Sequence, residues 1–66
     1  MSDAELIGRL FKVGIGYLDS RDFAAAERYF KEVLSIKPRS IPTLGNLAIA
    51  QWEQEKYIDV EITARK

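Results

Sequence analysis

The residues best equipped for chemistry in this sequence are its carboxylates. Asp19, Asp22, Glu53 and Glu55 gather at two polar stretches of the chain. Paired acids of this kind can cleave glycosidic bonds or hold divalent cations. Nothing around them supplies the rest of such a site. The chain has no histidine and no cysteine, so it lacks an imidazole base, a thiolate nucleophile and the usual transition-metal ligands. No serine stands beside a base. Gly14-Ile15-Gly16 begins like a phosphate loop, but a third glycine at the right offset, a preceding strand and a Lys-Ser or Lys-Thr pair are all missing. The acids read better as helix caps and solvated turns. Neither catalysis nor a bound metal or cofactor is expected.

The elements that carry these residues are helical. Ser2 and Glu5 have capping-box spacing, which predicts a helix over about 3–19. Asp19-Ser20-Arg21-Asp22 breaks it and offers caps for the next helix, expected over 22–36 and rich in Ala, Glu, Lys and Leu. Pro38 ends that helix. Ser40 is placed to cap a third helix over 41–53, with Pro42 in its first turn, where a missing N–H costs little. Glu53 to Lys56 is polar and is expected to form a turn before a fourth helix over 57–66. Strands are not expected, because β-branched residues never alternate with polar ones for long enough.

Composition sets the limits. The 66 residues make a single small domain with ten basic and ten acidic side chains, so the net charge is zero. That argues against a polyanion-binding protein, and no apolar run approaches the roughly 20 residues needed to span a bilayer. The N-terminus has no secretory pattern, so a cytoplasmic setting is expected. A chain this short buries only about 60% of its unfolded surface and usually needs a staple or a partner. Without cysteine it has no disulfide.

The chain also repeats. Shifted by 34 residues, Leu10 falls on Leu44, Val13 on Leu47, Gly14 on Ala48, Phe23 on Tyr57 and Ala26 on Val60. A period in this range marks stacked helical hairpins. Gly14, Tyr17, Ala26, Phe30 and Pro38 match the tetratricopeptide pattern outright, with Leu10, Val13 and Phe23 conservative and Val33 a departure. On these residues the chain resembles the tetratricopeptide repeat family. One good copy spans about 7–40. A weaker, shortened one spans 41–66, where Gln51, Val60 and Ala64 depart from the pattern. The resemblance implies an all-α fold of two stacked antiparallel hairpins, four helices in all, in one domain over 1–66. It further implies a protein-binding role.

Subtracting the residues that the hairpin core explains leaves a second stripe. Phe11, Ile15 and Leu18 recur at i, i+4 and i+7, and Gly45, Ile49 and Trp52 occupy the same places one repeat later. In the family resembled, this stripe faces a concave partner-binding groove. The expected function is therefore a non-enzymatic scaffold or adaptor that takes a protein or peptide partner in an apolar groove, with Trp52 as anchor. Homo-oligomerisation through the same face is the alternative, and docking within a longer enzyme such as a transferase is a further one. One subfamily clamps acidic C-termini with Lys and Asn where this chain has Phe11 and Ile15. Only Asn46 matches that set, so carboxylate clamping is not expected, and neither is nucleic-acid or membrane binding.

Overall fold

A computed structural model describes the backbone of residues 2–64 and the side chains of residues 2–55. Among the described residues there are three helices and no strand: α1 (Asp3–Asp19), α2 (Phe23–Ile36) and α3 (Ile41–Ala64). The all-α expectation holds. The expectation of four helices does not.

The first two helices begin where the caps predict. The Ser2 hydroxyl accepts from the Glu5 N–H at 3.3 Å, and the Asp22 carboxylate accepts from the Ala25 N–H at the same distance. Each satisfies a donor that the first helical turn leaves orphaned. Between them α1 closes with two reversed backbone bonds: Arg21 N–H to Leu18 C=O at 3.1 Å and Asp22 N–H to Tyr17 C=O at 2.9 Å. This paired closure requires a left-handed residue just past the helix end. Arg21 takes that place with φ 65°, a conformation usually given to glycine.

No such closure occurs after Trp52. The repeat aligns Asp19–Asp22 with Glu53–Lys56, and the second quartet has none of the first one's chemistry. Glu, Gln and Lys are all good helix formers, and a lysine cannot serve where Asp22 caps. Gln54 makes the stretch an anchor instead. Its amide donates to the Glu27 carboxylate on α2 at 2.8 Å and to the Ala50 carbonyl at 3.3 Å. The predicted turn at Glu53–Lys56 is therefore absent, and α3 runs unbroken for 24 residues, some 36 Å at about 1.5 Å per residue. Tyr57, Val60 and Ala64, expected on a returning fourth helix, lie on the continuation of the third. Their side chains fall outside the described residues, as do Arg65 and Lys66 altogether.

The packing is a hairpin of α1 and α2 with α3 laid against α2, and α1 meets α3 only sparsely. Ala26, Phe30, Val33 and Ala50 are fully buried. Gly14 sets the closeness of the hairpin. A Cβ added there would stand 2.6 Å from the Phe30 ring, so only a bare α-carbon lets the two helices approach this far. Tyr17 and Tyr29 stack across the same pair of helices with ring centroids 5.6 Å apart.

The result is elongated. The molecule measures 51 × 20 × 14 Å with a radius of gyration of 13.5 Å. A compact chain of this length has a radius of gyration of about 11 Å.

Candidate interaction surface

Two stripes run along α3 at i, i+4, i+7 and i+11, on opposite sides of the helix. The first is Thr43, Leu47, Ala50 and Gln54, and it seats α3 on the hairpin. Ala50 joins Ala26 and Phe30 in the buried cluster, with Leu47 packed against it. Thr43 is buried, and its hydroxyl shares a 2.8 Å hydrogen bond with that of Ser40. Gln54 reaches Glu27, which also pairs with Lys31 at 3.1 Å. The hydrogen bond from Lys31, then that from Gln54, holds the Glu27 carboxyl below its ordinary value of 4.5. Among the described residues no buried side-chain polar atom lacks a partner on this seam.

The second stripe is Ile41, Gly45, Ala48 and Trp52, flanked by Leu44 and Ile49. It faces away from α2. Ile41 is 78% exposed, Trp52 62%, Ile49 49% and Leu44 45%. A Cβ at Gly45 would meet nothing within 4 Å. Within residues 41–55, α3 is thus apolar on two opposite sides. Here α2 covers one side only.

The residues expected to floor a groove divide between these surroundings. Phe11, Ile15 and Leu18 are half-buried and pack against the cluster of Ala26, Phe30 and Ala50. The Phe11 and Phe30 rings lie 5.8 Å apart and tilted, a favourable aromatic arrangement. Gly45, Ile49 and Trp52 stand together on the open side of α3. On α1 the division of labour differs from the sequence reading. Gly14 is buried as the hairpin requires, but Val13 and Tyr17, core positions of the repeat pattern, are 41% and 36% exposed. With Gly16 and Ser20 they line a shallow hollow on the outer side of α1.

A mostly apolar cleft of about 280 Å³ opens between the start of α1 and the start of α3. Ala4, Ile7, Gly8 and Phe11 line one wall, and Ser40, Pro42 and Thr43 the other. Of the six expected residues only Phe11 reaches it. Ile41, Leu44 and Ala48 lie outside the expected set, because the repeat pattern assigns Leu44 and Ala48 to a hairpin that does not form. Their i, i+3, i+7 spacing, continued to Trp52 at i+11, carries the signal once α3 stands alone.

Among the described residues no group of acidic side chains is placed to hold a metal ion, and no helix is long and apolar enough to cross a membrane. No family model matches the chain, and neither curated proteins nor solved structures provide a match.

Proposed function

We propose that the chain is a non-catalytic protein–protein interaction module of tetratricopeptide-like build. Its contact surface is the outer side of α3. The build is supported by the 34-residue repeat, by Gly14 seated under Phe30, by buried Ala26, and by the first half of α3 lying on α2 as the opening helix of a second repeat would.

The observation that carries the function is the uncovered row of Gly45, Ile49 and Trp52 with Ile41 and Leu44 beside it. A contiguous row of exposed apolar side chains marks an interaction site more often than a single exposed one does. Trp52 has the character of a binding anchor: a large, rigid side chain offered to solvent beside a glycine gap. The absence of histidine and cysteine leaves little with which to do covalent or acid–base work.

The test is selection of displayed peptides on the wild-type chain, with counter-selection on Trp52→Ala. The expected outcome is a set of amphipathic peptides that lose at least tenfold in affinity on the variant while its helical circular dichroism is unchanged. Peptides indifferent to Trp52, or loss of helix in Trp52→Ala, would count against this surface.

A further inference from the structure

The outer stripe of α3 is complementary to itself. Read in one direction it runs gap, small, large, large: Gly45, Ala48, Ile49, Trp52. Place a second α3 against it, antiparallel, with a twofold axis passing between Ala48 and Ile49. Trp52 of each copy then lies over Gly45 of the other, and each Ile49 lies over an Ala48. A parallel pair would set indole against indole and gap against gap. The antiparallel arrangement also opposes the helix dipoles favourably. It is the isologous contact that a closed dimer requires, the same patch on both partners.

The surface arithmetic points the same way. The chain exposes 4991 Å². A compact monomer of 7.5 kDa exposes about 4,200 Å² by the usual scaling of area with mass. The surplus over the whole molecule is therefore roughly 800 Å², and a standard interface buries about 800 Å² on each partner. Trp52 and Ile49, 62% and 49% exposed, both lie within the overlap of the two copies. A zero net charge adds no general repulsion between copies.

We infer that the occupant of the outer face of α3 is a second copy of this chain, in an antiparallel α3–α3 dimer with Trp52 seated over Gly45 of the partner. This rests on the reading of that face as the contact surface and names what covers it.

Gly45 makes the inference testable without disturbing the fold. Because the space around its α-carbon is open, Gly45→Gln is accommodated in the monomer and blocks only the partner's indole. Light scattering across a dilution series should show a wild-type dimer at tens of micromolar, and dissociation at least tenfold easier for Gly45→Gln with circular dichroism retained. The chain has no cysteine, so single thiols can be placed at will. Ala48→Cys, beside the twofold axis, should link two copies on mild oxidation. Ser35→Cys, on the exposed side of α2, should not.

A monomer at every concentration would overturn the inference. So would a higher oligomer, a dimer that survives Gly45→Gln, or cross-linking through Ser35→Cys instead of Ala48→Cys. Recovery of Trp52-dependent peptides on a strictly monomeric chain would keep the interaction reading and remove the second copy. A dimer with the expected variant pattern but no selected peptide would keep the second copy and remove other partners.

Discussion

Gly14 and Gly16 sit two residues apart on the same helix, and their surroundings give them opposite prospects. At Gly14 a methyl group would collide with the Phe30 ring, whereas at Gly16 nothing lies within 4 Å. Alanine is favoured over glycine in a helix by about 1 kcal/mol. Gly16→Ala should collect most of that and raise the thermal midpoint. Gly14→Ala must also push the ring out of a filled core, at a cost of about 1–3 kcal/mol that outweighs the helical gain. Thermal denaturation of the two variants side by side checks the prediction, and equal midpoints would contradict the packing described for Gly14. The sequence alone made Gly14 legible, because the repeat placed it where two helices meet. It left Gly16 without an account, since open space around a side chain leaves no mark on spacing.

At the scale of elements, the contrast is between two quartets one repeat apart. Asp19–Asp22 turns the chain because Arg21 accepts a left-handed conformation and Asp22 caps the start of α2. Glu53–Lys56 does neither, and α3 continues. Transplanting Ser20-Arg21-Asp22 onto positions 54–56 should therefore break α3. In the Gly45→Gln background, expected to be monomeric, small-angle scattering should then give a radius of gyration below 13.5 Å. An unchanged radius would mean that helix continuity does not depend on the missing caps. The expected fourth helix failed here for a physical reason: polarity marks what is solvated, not what turns. The first two helices were legible because their ends carry side chains that bond backbone donors. The polar run after Trp52 carries only good helix formers, and the role of Gln54 as a tie to Glu27 depends on a contact 27 residues away in sequence.

At the scale of the whole molecule, the site was half legible for a related reason. Phe11, Ile15 and Leu18 share a spacing with Gly45, Ile49 and Trp52, and spacing alone cannot say which set meets the core. Helix α2 decides it by covering α1 on that side and α3 on the other. What remains is a molecule whose radius and surface both exceed those of a compact chain of equal length. If a second copy settles on the α3 stripe as proposed, stability depends on concentration, because association favours the folded state by mass action. The wild-type thermal midpoint should rise across a hundredfold range of concentration, and that of Gly45→Gln should stay flat. A flat wild-type curve would mean that the hairpin and α3 suffice by themselves.

The placement of the aromatic rings has an optical consequence. Trp52 is the only tryptophan and lies on the outer side of α3, away from the core, whereas Tyr17 and Tyr29 stack between α1 and α2. An indole already in water changes its surroundings little when a monomer melts. Tryptophan emission will thus be nearly blind to loss of the hairpin and responsive to whatever settles on α3. The near-ultraviolet dichroism of the stacked tyrosines will report the reverse. The two chromophores divide folding from association, so that one sample, observed at two wavelengths, can follow both.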